Sequence, residues 1–178
     1  SVRRQRQMCI RDSTNTTFSA TDTTLTVTST TDFDVADLLL IDAEIVSVGS
    51  VNGNDAVVTR GQLQTSGVSH AAGSQVTLIE TAGSTSTVNE GGTFTDSDTT
   101  LSVASVATLG AGTNSYIRID DEILQVSAVV GNDLTVTRAA LSTTAAAHTD
   151  GSTITLLTVS SNKTCLLYTS DAADERNS

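Results

Sequence analysis

The chain repeats itself, and the repeat limits what it can fold into more than any local pattern does. FSATDTTLTV (Phe18–Val27) reappears as FTDSDTTLSV (Phe94–Val103), 76 residues later. Beyond that the offset is 78. IDAEIVSV (Ile41–Val48) returns as IDDEILQV (Ile119–Val126), and GNDAVVTR (Gly53–Arg60) as GNDLTVTR (Gly131–Arg138). SHAAGSQVTL (Ser69–Leu78) likewise returns as AHTDGSTITL (Ala147–Leu156). The two extra residues fall in the loop after the first strand, between Val103 and Ile117. Each copy must solve the same packing problem, so the chain divides into two like modules, 17–80 and 93–158. The segment between them, TAGSTSTVNEGG (81–92), is rich in Gly, Ser and Thr and reads as a flexible linker.

Each module reads as strands. TLTV (Thr24–Val27) and TLSV (Thr100–Val103) alternate with period two, as do Ile117-Arg118-Ile119 and their counterparts Leu39 and Ile41. Asp42-Ala43 and Asp120-Asp121 fit two-residue turns, because Asp tolerates the left-handed backbone better than most residues. Glu122–Val130 forms the next strand and runs into Gly131-Asn132, a pair suited to a tight hairpin. Leu134–Arg138 and Thr153–Leu157 complete about five short strands per module. Thr favours strands through its branched β-carbon and recurs throughout. The expected fold is all-β with almost no helix: two tandem small five-stranded barrels or sandwiches, an SH3-like barrel first among them.

The two ends differ from the rest. Residues 3–12, RRQRQMCIRD, and 165–175, CLLYTSDAADE, hold both cysteines and the single methionine. Back-translating Cys165–Asp174 as TGT CTC TTA TAC ACA TCT GAC GCT GCC GAC gives a DNA whose reverse complement, read from its third base, encodes RQRQMCIRD. That is Arg4–Asp12. The DNA resembles the adapter of transposase-based sequencing libraries, in opposite orientations at the two ends. Residues 1–13 and 165–178 are therefore expected to be adapter-derived tails and are excluded from fold reasoning. The native termini are then missing, and nothing follows about a leader peptide.

Between the ends there is no Cys, Met, Trp or Pro, so cysteine usage carries no redox or metal signal. Sixteen acidic side chains stand against Arg60, Arg118, Arg138 and Lys163. Such a charge repels a phosphate backbone and disfavours nucleic-acid partners. No apolar run approaches the roughly 20 residues of a membrane-spanning helix.

Strand parity singles out one pair per module. Glu122 shares a face with Leu124, Val126 and Ala128, and Arg138 shares one with Leu134 and Val136. Both charges therefore point toward the core at its rim, and Glu44 and Arg60 repeat the arrangement. Paired, the two groups satisfy each other; unpaired, each is costly. A ligand-binding acid is one reading of Glu44 and Glu122. A structural ion pair is the better one, because both modules keep both partners. His70 and His148 also recur, each three residues before a glycine, and read as hydrogen-bonding turn histidines rather than metal ligands. Asp32, Asp34 and Asp37 offer oxygens suited to calcium, but the second module has no acids in that loop. Asp120, Asp121 and Glu122 suggest a glycosidase carboxylate pair, yet side chains on a tight turn diverge. There is no nucleophile elbow, phosphate loop or triad pattern. No enzyme, cofactor or metal is expected.

The pattern TTLTV, I-x-I-D-x-E-I-x-x-V, G-N-D-x-x-V-T-R and T-x-A-A-A-H-x-x-G-S-x-[IV]-T-L resembles a tandem module of tailed-bacteriophage virion structural proteins of tail or tail-fibre type. The likeness spans nearly all of Thr17–Leu157 and is closer in the second module, through TRAALSTTAAAH (Thr137–His148). It implies a building-block or adhesive role in the virion. The implied partners are other virion proteins, copies of itself or a host surface. It supplies no catalytic residues. Two other classes share the composition. One is a repeat of a secreted bacterial adhesin or surface-layer protein. The other is an accessory binding module of a carbohydrate-active enzyme, against which the scarcity of aromatics counts: only Phe18, Phe33, Phe94 and Tyr116 lie between the ends. Phe18 and Phe94 are expected to cover the end of each barrel.

Overall fold

The alternating Thr, Val and Ile runs form strands, as β-branched residues on a half-buried sheet do. The computed structural model describes residues 17–165. The ends read as adapter-derived lie outside these apart from Cys165. In chain order the first module supplies β1 (Thr24–Thr26), β2 (Leu38–Ile41), β3 (Glu44–Asn52), β4 (Asp55–Thr59) and β5 (Gln75–Thr87). The second supplies β6 (Thr93–Phe94), β7 (Thr100–Ser102), β8 (Tyr116–Ile119), β9 (Glu122–Val130), β10 (Asp133–Thr137), β11 (His148–Thr149) and β12 (Thr153–Cys165). Among the described residues, helix is confined to α1 (Val106–Leu109) and a 3-10 turn at Ala140–Ser142. The turn α1 sits in the two-residue insertion of the second module. Its Ser105 cap accepts from the Thr108 N–H, and Gly110, at φ 72°, ends it.

The tight turns form where the residues predict them. β2 and β3 are joined through Asp42-Ala43, β8 and β9 through Asp120-Asp121, and Asp42 and Asp120 have φ of 51° and 52°. Gly53 and Gly131 open the next hairpins at φ 61° and 62°.

The chain is all-β as expected, but the expectation of two tandem five-stranded barrels or sandwiches is corrected. Ten strands form one antiparallel sheet in the order β1-β4-β3-β2-β5-β12-β8-β9-β10-β7, and β6 pairs with β11 separately. The cause is the segment read as a linker. Thr81–Thr87 is no flexible connector but the second half of β5, lying against the first half of β12 (Thr87↔Thr153, Thr81↔Leu157). A strand crossing the module boundary joins both sheets into one. Where β7 meets the end of β5, contact is a single bridge, Val88↔Val103, rather than a closing ladder.

The sheet curls around a separate core in each module. Leu25 on β1 and Val76 and Leu78 on β5 belong to one buried cluster with Leu39, Ile41, Val46 and Val48. Leu101, Ile117, Ile119, Leu124, Val126 and Ile154 belong to the second. A third cluster uses the opposite face of the same strands. Ile45 and Ile123, Leu63 and Leu141, and Ile79 and Leu157 meet there with Leu38 and Tyr116. These are equivalent residues of the two modules, so the modules pack on each other through like surfaces. With about 25 cal/mol gained per Å² of buried apolar surface, this cluster opposes independent motion of the two.

Candidate functional site

Glu44 is the first residue of β3, set by the Asp42-Ala43 turn, and its side chain has no exposed surface. Arg60 follows β4 and reaches it across the hairpin. Arg60 Nε donates to Glu44 Oε1 at 2.7 Å and the terminal nitrogen to Oε2 at 2.7 Å, a bidentate pair. The backbone N–H of Gly61 donates to Oε1 at 3.0 Å and that of Val68 to Oε2 at 3.0 Å. His70 Nε2 lies 2.9 Å from Oε2. Five donors thus converge on one carboxylate.

The second module repeats every contact. Arg138 donates to both oxygens of Glu122 at 2.8 Å, and the N–H groups of Ala139 and Ala146 at 3.0 and 3.1 Å. His148 Nε2 lies 2.8 Å from Oε2.

The other ring nitrogen of each histidine faces a second acid. His70 Nδ1 is 2.8 Å from Asp42 Oδ2, and His148 Nδ1 is 2.9 Å from Asp120 Oδ2. Each ring thus bridges two carboxyl groups, one at each nitrogen. The histidine rings are buried, while the Asp42 and Asp120 side chains are 54% and 66% exposed. Each site is therefore a chain running inward from solvent, Asp to His to Glu to Arg.

The arginines extend the chain to a further loop. Arg60 donates to the carbonyls of Ser19 at 2.6 Å, Asp22 at 2.9 Å and Val68 at 2.5 Å. Arg138 donates to Thr95 and, at 2.9 and 2.6 Å, to Asp98 and Ala146. Each guanidinium also lies over a phenylalanine, 4.1 Å from the Phe18 centroid and 4.3 Å from that of Phe94. The same rings stack on His70 and His148, at 6.1 and 6.4 Å between centroids. Phe18 and Phe94 are thus the floor of the charge cluster.

Electrostatics follow from this geometry. Burial pushes the Glu44 carboxyl up, but hydrogen bonds from Arg60, His70, Val68 and Gly61 outweigh it and bring its pKa down to about 2. Glu122 is likewise brought down to about 2, against burial, by Arg138, His148, Ala139 and Ala146. Asp22 is held below its ordinary value by hydrogen bonds from Ser19, and Asp98 by hydrogen bonds from Thr95.

The residues singled out from sequence fall in three groups. Glu44, Arg60 and His70 come together, as do Glu122, Arg138 and His148. Asp32, Asp34 and Asp37 form no ligand set; the Asp37 carboxylate accepts from the Asp34 N–H at 2.7 Å and shapes its own loop. Among the described residues, no group of three His, Cys, Asp or Glu could hold a metal ion. Asp120 and Asp121 separate: the first joins His148, and the second lies 3.8 Å from Arg118.

Sequence reasoning missed the Asp–His contacts and the phenylalanine floor. Repetition was the available signal. Asp42 and Asp120 recur at the 78-residue offset, whereas Asp121 faces Ala43. Among the described residues, no buried side-chain nitrogen or oxygen lacks a hydrogen-bond partner, so each cluster is closed on itself. No family model, no curated protein and no solved structure matches the chain.

Proposed function

We propose that the chain is a non-catalytic structural repeat of a tailed-phage virion protein, of tail or tail-fibre type, serving in assembly or surface attachment. The carrying observation is the duplicated cluster in which Glu44 and Glu122 each accept from five donors of their own module. A general acid or base needs a carboxyl that can exchange a proton with a substrate. A carboxylate saturated by its own fold instead acts as a lock, holding the N-terminal turn, the hairpins and the His loop together. Keeping that lock twice supports a load-carrying module. The virion half of the reading rests on the resemblance of the repeated strand and turn motifs. Its partners are other virion proteins or copies of the module, and its place is the virion.

Sequencing the source DNA outward from this gene tests the reading. Capsid, portal or tail genes alongside it are the expected result. Secretion and surface-layer genes in their place would overturn it and favour an adhesin.

A further inference from the structure

The ladder between β5 and β12 has a symmetry that tandem repeats do not require. Its centre is Glu80↔Thr158, which are each other's equivalents at the 78-residue offset. On one side Ile79 pairs with Val159; on the other their equivalents, Leu157 and Thr81, pair with each other. Further out Val76↔Thr164 mirrors Ile154↔Ser86. Even the register shifts correspond, one between Thr155 and Leu157 and one between Ser160 and Thr164. The first half of each strand builds its own module, and the second half lies along the other module. Ile45 with Ile123 and Leu63 with Leu141 carry the same relation into the apolar cluster between the modules. This is an isologous contact, in which one surface meets its own copy.

We propose that this chain pairs with a second copy of itself by strand exchange, β5 of one chain taking β12 of the other. The inference rests on the ladder and the apolar cluster and does not depend on a virion role. An isologous interface does not distinguish a module of its own chain from one of another. The exchanged half TAGSTST is small and polar, so backbone hydrogen bonds dominate its pairing, as in strand addition to a sheet edge. The hinge is Asn89–Gly92, between β5 and β6. Gly91 there has φ 66° and open space about it, as a chain reversal requires. Within one chain the modules see each other at an effective concentration of about millimolar. Exchange between chains is therefore expected when chains are refolded together at high concentration.

The test uses cysteines on the full chain in a Cys9→Ser, Cys165→Ser background. One chain carries Glu80→Cys and another Thr158→Cys, on directly opposed positions of the ladder. Opposed antiparallel residues lie about 4.5–5.5 Å apart at Cα, within the reach of a disulfide. Co-refolding the two is expected to give a covalent dimer on a non-reducing gel. It should exceed several-fold the dimer obtained when Val130→Cys, at the exposed end of β9, replaces Thr158→Cys. A chain with both Glu80→Cys and Thr158→Cys is expected to close an internal disulfide when refolded dilute. Absence of the covalent dimer, or equal yield with the Val130→Cys chain, would overturn the proposal. Failure of the double variant to close would overturn it too, by removing the ladder.

Discussion

His148 Nε2 lies 2.8 Å from Glu122 Oε2, the oxygen that also accepts from Arg138 at 2.8 Å and from the Ala146 N–H at 3.1 Å. Three donors on one buried oxygen make Glu122 a hub that ties β9 to Arg138 and to the Ala146–His148 stretch, and Glu44 repeats the arrangement. Removing a spoke and removing the hub therefore have different consequences, which orders the mutants by cost.

Glu122→Gln and Arg138→Met each leave a charge buried without its partner. Breaking a buried pair in this way costs about 3–5 kcal/mol, against about 0–1 for an exposed one. Glu44→Gln and Arg60→Met should do the same. Urea unfolding of the four variants is expected to show losses in the upper range. The double variant Glu122→Gln/Arg138→Met should recover part of the loss, because no orphaned charge remains. Four variants that unfold like the parent would mean the pairs contribute nothing to stability.

The Asp–His arm should grade smoothly outward. His148→Ala removes one of five donors to Glu122 and the stack on Phe94, and loss of a hydrogen bond to a charged group costs about 1–3 kcal/mol. Asp120→Asn acts on a side chain 66% exposed, where a pair contributes about 0–1 kcal/mol. Urea midpoints should therefore fall in the order Asp120→Asn, His148→Ala, Arg138→Met, with Arg138→Met lowest. A loss from Asp120→Asn equal to that from Arg138→Met would contradict the inward chain.

Much of this was legible in the sequence, and what was not has identifiable causes. Strand parity pointed Glu122 and Arg138 into the core, because period two is local information and a buried face leaves little freedom of register. The Asp42 and Asp120 turns were legible for the same local reason. The contact of His148 with Glu122 spans 26 residues, and its presence depends on a loop path that propensity does not describe. The segment TAGSTST misled because its composition suits a linker, yet as strand β5 it gains its order from β12, some 70 residues on. Tertiary pairing overrode local preference there. Two closed barrels failed for that one reason.

Acid should weaken the fold through the two hubs. Glu44 and Glu122 are lowered from 4.5 to about 2 on folding. Below 4.5 the unfolded chain binds protons that the folded chain does not, so stability falls with pH. The stabilisation is fully present above pH 4.5 and is lost as pH drops through about 2. A shift of this size corresponds to about 3 kcal/mol per site. Melting temperatures measured from pH 6 down to pH 2 should be level at first and then decline below 4.5. Glu122→Gln should flatten that decline, and an unchanged slope in the Gln variant would assign the acid sensitivity to other carboxylates.

Unfolding should be a single event for both modules. Ile123 belongs to the second module in sequence, yet it is fully buried in the cluster shared with Ile45, Leu63 and Ile79 of the first. Truncating a buried isoleucine to alanine costs about 2–5 kcal/mol. If the shared cluster and the β5–β12 ladder join the modules, Ile123→Ala lowers the stability of both together. Amide hydrogen exchange separates the cases, since core amides exchange through global opening. Protection of the Val46, Val48 and Val58 amides, all in the first module, is expected to fall along with that of Leu124 and Val136. Exchange that speeds up in the second module alone would mean the modules open independently. The shared cluster would then be contact without coupling.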